Sequence, residues 1–333
     1  MAISLNPVIL PDNDMELPFK TALVTGGAGF IGHHITHALV AHGVKTKVID
    51  DLSRGTIARL SDIASQIEFV EGSILDDAKL QRAVGGVDVI FHEGAWASVP
   101  QSVEMPLEYH EIDATGTLKV LEAARRAGVR KVVYAASSSA YGEQPHLPKR
   151  EDQLPAPISP YAVAKYVGEL YLAVYAHLHA METISLRYFN VFGPYQDPKS
   201  LYGAAIPAIV SRVVKGVSPT IYGDGEQTRD FCYIDNVVHA NLLAASRPGL
   251  KGQVINVACA ERTTVNDIVR VANRLLGSNV KPTYAPPRVG DVRDSFADIS
   301  LAKELIGYEP KVFFEEGMKR WIEWYRGSEY MKG

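Results

Sequence analysis

The 333-residue chain has only two cysteines, no long apolar run and no basic tract. Cys232 and Cys259 stand far apart without the spacing of metal ligands, so we predict no metal site and a reduced, cytoplasmic protein. No segment approaches the ~20 apolar residues that span a bilayer, so no membrane partner is expected. The net charge is 34 − 38 = −4, which argues against binding to nucleic acid.

The composition is that of an ordinary globular protein, with 47% apolar and 22% charged residues. A chain of this length predicts one large domain or two closely joined domains. Residues 1–19 contain prolines and acids but no basic start, which indicates an N-terminal extension or a disordered tail rather than a signal peptide.

Apolar strand-like segments alternate with helix-like segments over the first half of the chain. The strands start with TALVTG at Thr21 and end with TISLRYFNVFG at Thr183, and long helical patterns begin at Tyr109 and Tyr161. Continuous apolar strands separated by helices are typical of a parallel sheet covered on both faces. We therefore predict an α/β fold, with a Rossmann-type doubly wound sheet over residues 20–192.

The second half is richer in proline and glycine and less regular. Short strands near Ile221 and several amphipathic helices predict a smaller mixed α/β substrate domain over residues 193–333. Parts of 230–260 are expected to return to the first domain.

A glycine-rich turn, TGGAGFIG, joins the first strand to the first helix. Gly26, Gly29 and Gly32 permit a tight turn, and the helix N-terminus offers N–H groups to a pyrophosphate. The spacing departs from G-x-G-x-x-G, so the triplet alone is weak evidence. Asp50 and Asp51, about twenty residues downstream, can accept the adenosine ribose hydroxyls, or Asp50 can merely cap a turn. A carboxylate there favours NAD over NADP, although Arg54 nearby points the other way.

Tyr161 and Lys165 lie four residues apart at a predicted helix start, after Pro160. A phenol normally titrates near ~10. The lysine cation and an oxidised nicotinamide are expected to lower that pKa, so that Tyr161 accepts a proton from a substrate hydroxyl. The alternative is an ordinary solvated helix face.

These motifs together resemble the extended short-chain dehydrogenase/reductase family. The resemblance is carried by TGGAGFIG, by Tyr161-x-x-x-Lys165 and by the serines after the fifth strand, and it runs from about Lys20 to the C-terminus. LRYFNVFGPYQDP, IYGDGEQTRDFCYIDN and RVGDVRDSFAD are similar to the nucleotide-sugar branch, above all to the UDP-N-acetylglucosamine 4-epimerases.

The resemblance implies a catalytic relay of Ser137, Tyr161 and Lys165 and a tightly bound NAD that is recycled in each turnover. Dehydratases of this family carry acids at the two positions after the relay serine, but this chain has Ser138 and Ser139, which favours epimerisation. The cofactor-binding residues that the resemblance implies, besides Tyr161 and Lys165, are Gly26, Gly29, Phe30, Ile31, Gly32, Asp50, Asp51, Ser53, Ser73 and Ile74.

A UDP-sugar substrate is implied in the same way. Two arginines are expected to clamp the diphosphate, and the small Ser295 leaves room for an N-acetyl group. The implied substrate-binding residues are Ala97, Ser98, Ser138, Ser139, Asn190, Tyr202, Ala204, Ala205, Tyr222, Arg229, Arg288, Asp291 and Ser295.

Two positions depart from the family pattern: Ser73 replaces a usual Asp, and Asp113 replaces a usual Asn near the cofactor. An epimerase for UDP-glucose or UDP-glucuronate is the first alternative, and a catalytically silent NAD-binding scaffold is the second. The family also implies a homodimer through the helices that contain TLKVLEAARRAG and KYVGELYLAVYAH.

Overall fold

The computed structural model describes residues 15–197, 205–287 and 293–331. A parallel sheet forms the centre of the molecule, and helices cover both of its faces. The strands are β1 (Thr21–Thr25), β2 (Lys45–Asp50), β3 (Ile67–Glu71), β4 (Val89–His92), β5 (Lys131–Ser137), β6 (Glu182–Tyr188), β7 (Val191–Phe192), β8 (Thr220–Tyr222), β9 (Thr228–Arg229), β10 (Cys232–Tyr233), β11 (Gln253–Val257), β12 (Thr263–Thr264) and β13 (Thr283–Ala285). The α-helices are α1 (Phe30–Ala41), α2 (Asp77–Val84), α3 (Val99–Glu104), α4 (Pro106–Tyr109), α5 (Gly116–Ala127), α6 (Pro160–His179), α7 (Ala205–Val214), α8 (Ile234–Ser246), α9 (Val265–Leu276), α10 (Ser300–Ile306) and α11 (Phe314–Gly327).

The central sheet has the strand order β11-β6-β5-β4-β1-β2-β3, and all of its pairs are parallel. Val24 of β1 pairs with Val48 on one side and with Phe91 on the other, so the chain reverses its winding direction at β1. A doubly wound sheet binds ligands beyond the carboxyl ends of its strands at such a reversal. The predicted fold class is confirmed.

The seventh strand, β11, comes from the second half of the chain and pairs with β6 through Ile255 and Leu186. Helix α8 precedes it and packs against α1. Residues 234–257 therefore pack with the central sheet and the helices of the first half of the chain. The predicted division into domains at residue 192 stays a prediction.

Helix α6 begins where the sequence provides its start signals. The Ser159 hydroxyl accepts a hydrogen bond from the N–H of Ala162 at 3.2 Å, and Pro160 occupies the first turn. The stretch before α5, His110–Thr115, is a π-helical turn. Such turns are frequent at functional sites.

Outside the central sheet, the second half of the chain contains short two-stranded sheets, in which β8 pairs with β13 and β9 pairs with β12. The segment after residue 292 is held on two sides. The N–H of Ser295 donates to the carbonyl of Thr228 at 3.0 Å, and the N–H of Asp298 donates to the carbonyl of Lys149 at 2.9 Å. Of the described helices, none is both long and apolar enough to cross a bilayer.

Candidate active site

One cavity of about 1010 Å³ opens beyond the carboxyl ends of β1, β2, β4 and β5 and extends to the second half of the chain. Every predicted site residue that the structure describes lines it. Four predicted residues, Tyr202, Ala204, Arg288 and Asp291, lie outside the described residues. The predicted residues on the cavity wall are Gly26, Gly29, Phe30, Ile31, Gly32, Asp50, Asp51, Ser53, Ser73, Ile74, Ala97, Ser98, Ser137, Ser138, Ser139, Tyr161, Lys165, Asn190, Ala205, Tyr222, Arg229 and Ser295.

The glycine turn forms a cradle that side chains would fill. Gly26 has φ +67°, and a Cβ there would lie 2.7 Å from the Cα of Gly94. A Cβ on Gly32 would lie 2.2 Å from the carbonyl oxygen of Gly26. The turn therefore tolerates only glycine at these two positions, and it leaves bare backbone at the start of α1. Such a surface fits the pyrophosphate of a dinucleotide.

Asp50 ends β2 beside this cradle. Its Oδ2 accepts the N–H of Ala28 at 2.9 Å and its Oδ1 accepts the N–H of Leu52 at 2.8 Å, so the carboxyl group joins the glycine turn to the turn after β2. Burial raises the pKa of Asp50, and these two hydrogen bonds oppose the rise. The carboxylate retains lone pairs for ribose hydroxyls. Arg54 instead donates to Gln101 at 2.7 Å and stacks on Trp96.

The two departures from the family pattern behave differently. Ser73 lies on the cavity wall and accepts the N–H of Leu75 at 3.2 Å. Asp113 is buried, and its Oδ1 accepts the N–H of Trp96 at 2.9 Å, so its carboxyl group is turned to the backbone after β4. Burial raises the pKa of Asp113 to about 6, against the opposing charge of Lys165.

Ser137, Tyr161 and Lys165 meet at the end of β5. The Ser137 hydroxyl lies near enough to the Tyr161 phenol to act on its pKa, and it accepts the hydroxyl of Ser139 at 2.8 Å. Tyr161 and Lys165 lie one turn apart on α6, and the Lys165 Nζ donates to the carbonyl of Ala135 at 2.8 Å. The sequence spacing and the strand end thus place an alcohol, a phenol and an ammonium group in one corner of the cavity.

Burial and nearby charges act on the pKa of the Tyr161 phenol. Burial raises its pKa, the hydrogen bond from Ser137 opposes the rise, and the charges of Asp113 and Glu93 add to it. The lowered pKa that the sequence predicts depends on Lys165 together with an oxidised nicotinamide, and it stays a prediction for the enzyme with its cofactor. Burial raises this pKa because desolvation disfavours a phenolate.

The opposite wall comes from the second half of the chain. The Arg229 guanidinium donates to the carbonyls of Thr228 and Arg293 at 2.9 and 3.0 Å, which aligns β9 with the segment that carries Ser295. Ser98 caps α3 through the N–H of Gln101 at 3.2 Å, so its hydroxyl already has a structural role.

Sequence reasoning missed several residues of the cavity wall, among them Glu93, Trp96, Lys149 and Tyr188. Glu93 could have been found, because it follows the apolar run VIFH at the strand end beside the glycine turn. Lys149 offered no local signal. It is buried, with its Nζ on the carbonyl of Gln144, and it belongs to a loop whose path only the fold reveals.

Comparison with known proteins agrees with this geometry. The model of the NAD dependent epimerase/dehydratase family matches residues 22–258, more than half of the chain. The chain belongs to this family. A UDP-glucose 4-epimerase of Mycolicibacterium smegmatis is 38% identical over 311 residues, which are 92% of this chain and 98% of that protein.

Two solved structures are similar over nearly the whole chain. A UDP-N-acetylglucosamine 4-epimerase of Methanobrevibacter ruminantium, in complex with UDP-N-acetylmuramic acid, has a TM-score of 0.88 and 38% identity and covers 92% of this chain and 98% of its own. A UDP-glucose 4-epimerase of Thermus thermophilus, in complex with NAD, has a TM-score of 0.84 and 35% identity, with coverages of 92% and 99%. The predicted epimerase family and the predicted NAD dependence of this enzyme are confirmed. The role of each site residue stays a prediction.

Proposed function

We propose that this epimerase interconverts UDP-N-acetylglucosamine and UDP-N-acetylgalactosamine at C4 of the sugar. The observation that carries the proposal is the corner formed by Ser137, Tyr161 and Lys165 in the cavity that also contains the glycine cradle. The cradle would hold a dinucleotide cofactor, and Tyr161 would accept a proton beside its redox centre. That combination suits reversible oxidation of a secondary alcohol.

The residues present fit NAD. The cradle of Gly26 and Gly32 takes the pyrophosphate, and Asp50 takes the adenosine ribose. When bound, NAD supplies the capacity to accept a hydride from the sugar carbon and to return it to either face. Because the overall reaction is redox-neutral, we expect NAD to stay bound between turnovers.

Tyr161 moves the proton in this scheme. As the phenolate, Tyr161 takes the proton of the C4 hydroxyl, and as the resulting phenol it later returns that proton; Ser137 favours the phenolate. Lys165 places a positive charge one turn away on α6, and burial is the largest influence on the pKa of Tyr161. The positive charge of an oxidised nicotinamide would favour the phenolate further.

The two positions after the relay serine favour epimerisation over dehydration. Ser138 and Ser139 line the cavity with hydroxyl groups, whereas elimination of water needs a general acid beside the leaving hydroxyl. Neither position therefore offers the oxidised sugar an acid that could protonate a leaving hydroxyl. Of the two reactions, this leaves epimerisation, in which the 4-keto sugar rotates and is then reduced on its other face.

The choice of sugar rests on Ser295. Its small side chain lies on the part of the cavity wall that the second half of the chain supplies, and it leaves space for an acetamido group. UDP-glucose is the second candidate, because a UDP-glucose 4-epimerase is among the similar proteins over nearly the whole chain. Space permits an N-acetyl group without requiring it.

The decisive experiment incubates the purified protein with UDP-N-acetylglucosamine, UDP-glucose or UDP-glucuronate and resolves the epimers by NMR. We expect conversion of the N-acetylated sugar without added NAD. Absence of conversion of all three sugars, even after NAD is supplied, would remove the proposal. Exclusive conversion of UDP-glucose or of UDP-glucuronate would replace it with that alternative.

We also infer a homodimer. Helix α6 presents a row of exposed apolar side chains at helical spacing, and α3 and α4 add Val103 and Leu107 beside it. Exposed apolar patches of this kind mark association surfaces. The row on α6 consists of Val163, Leu170, Val174 and Leu178.

Both cysteines are buried free thiols, in keeping with the expected cytoplasmic location.

A further inference from the structure

Glu93 lines the cavity but has no role in the proposed proton transfer. It directly follows β4, which lies between β1 and β5 in the sheet, so it emerges between the glycine cradle and Ser137. A Cβ on Gly26 would lie 3.0 Å from the backbone carbonyl carbon of Glu93. The residue therefore lies on the path from the pyrophosphate cradle to the relay.

A hydrogen-bond chain holds the Glu93 side chain in place. The amide Nδ2 of Asn241 donates to the Tyr188 hydroxyl at 2.8 Å, and Tyr188 is 2.9 Å from Oε1 of Glu93. The same amide nitrogen also donates to the carbonyl of Val237. Since the Tyr188 oxygen accepts from Asn241, its own proton points to Glu93. Tyr188 on β6 is the register partner of Ser137 on β5. The hydrogen bonds from Asn241 to Glu93 therefore pass the carboxyl end of β5.

The charged and titratable groups that face Glu93 lie on two elements. Lys165 and Tyr161 face it from α6, and Tyr188 faces it from β6. Asp113, from the π-helical turn, acts on the same Lys165 and Tyr161. Burial raises the pKa of Glu93 to about 7, and the Tyr188 hydrogen bond and the Lys165 charge oppose the rise. With a pKa of about 7, the Glu93 carboxyl group is about half ionised at neutral pH and becomes fully negative above it.

A negative charge at this place acts differently on the two redox forms of the cofactor. The oxidised nicotinamide is a cation and the reduced ring is neutral, so a nearby carboxylate stabilises the oxidised form. The redox centre has to lie beside Tyr161 for the proposed reaction, and Glu93 is close enough to Tyr161 to act on its titration.

We propose that the Glu93 carboxylate, oriented by Tyr188 and Asn241, holds the bound cofactor in its oxidised form. The inference rests on the proposed oxidation at the sugar carbon for the position of the nicotinamide. An enzyme that starts each turnover by oxidising its substrate is inactive with reduced cofactor. Glu93 thus protects the resting enzyme against accumulation of NADH.

The test measures redox equilibrium without any sugar, so it does not depend on which sugar is the substrate. The holoenzyme is equilibrated with a redox dye of known potential, and the reduced fraction of bound cofactor is read from its absorbance. Glu93→Gln keeps the acceptor for Tyr188 and removes the charge. We expect it to shift the NAD⁺:NADH ratio about tenfold toward NADH, the low end of what one nearby charge does, or about 30 mV for a two-electron couple.

Two variants and a pH series make the result specific. Glu93→Asp retains the charge and should restore most of the wild-type ratio, while Glu71→Gln, an exposed acid at the end of β3, should leave it unchanged. The difference between wild type and Glu93→Gln should shrink at pH 5 and grow at pH 8. An unchanged ratio in Glu93→Gln with normal NAD content would overturn the proposal and leave Glu93 a purely structural role. Failure of epimerisation with this redox shift intact would reject only the proposed function.

Discussion

Arg187 of β6 and Glu169 of α6 form a two-pronged ion pair beneath the relay. The Nε and Nη2 atoms of Arg187 donate to the two carboxylate oxygens at 2.8 and 2.7 Å, and both side chains are at most 3% exposed. The guanidinium also stacks on the Tyr141 ring at 4.5 Å. Because Glu169 lies one turn after Lys165, this pair fixes the helix that carries the relay against the sheet.

Removal of one partner of this pair should strongly destabilise the protein. Glu169→Ala leaves a buried guanidinium without its counter-charge, which costs about 3–5 kcal/mol of unfolding free energy in a buried pair. Urea denaturation measures the change. The double variant Glu169→Leu with Arg187→Met should be less destabilised than Glu169→Ala. As the control, Glu309→Ala removes a pair in which both side chains are more than half exposed and should show no measurable change.

Loss of the Tyr161 hydroxyl should stop the reaction without releasing the cofactor. Tyr161→Phe removes the group that accepts the proton, and we expect turnover to fall roughly 10²–10⁴-fold. The NAD content, measured after denaturing the purified protein, should equal that of wild type. Tyr171→Phe on the same helix, outside the cavity, should keep full activity. Substantial turnover by Tyr161→Phe would transfer the role of base to another group.

A methyl group on Gly32 should damage the dinucleotide cradle. The added Cβ would lie 2.2 Å from the carbonyl oxygen of Gly26, so the turn has to move. We expect Gly32→Ala to be purified with little or no NAD and with a lower Tm. Gly327→Ala, whose Cβ would have no neighbour within 4 Å, is the matched control. Full NAD content in Gly32→Ala would show that the pyrophosphate lies elsewhere.

A charge on the apolar row of α6 should break the proposed homodimer. Val174 is 46% exposed in that row, and Val217, three residues after the end of α7, is 44% exposed. Light scattering after size-exclusion chromatography should give a monomer mass for Val174→Glu and a dimer mass for both wild type and Val217→Glu. A monomeric wild type, or a dimer that survives Val174→Glu, would place the association surface elsewhere.

Bulk at position 295 should discriminate between substrates. Ser295→Tyr fills space on the wall opposite the relay, so we expect kcat/KM to fall selectively for N-acetylated UDP-sugars. Ser295→Ala keeps the space and should preserve the preference. Equal losses on UDP-glucose and UDP-N-acetylglucosamine would contradict the assignment of Ser295 to the acetamido side of the pocket.

Local sequence patterns were enough to predict the elements and motifs that depend only on residues near one another along the chain. The apolar strands and helices between Thr21 and Tyr188, and with them the doubly wound class, follow from periodicity over a few residues. The glycine turn and the four-residue spacing of Tyr161 and Lys165 are equally local, because each is a property of one turn or one helix face.

Only the tertiary structure decided which distant residues share the cavity and how they ionise. Tyr188 reaches Glu93 across 95 positions of sequence, and the N–H of Lys149 donates to the carbonyl of Phe296, beside Ser295, across 296 − 149 = 147 positions. The burial that raises the pKa of Tyr161 is likewise a consequence of packing. Contacts of this kind depend on strand order and register, and desolvation depends on what covers a side chain, so neither is encoded in the neighbours of a residue along the chain.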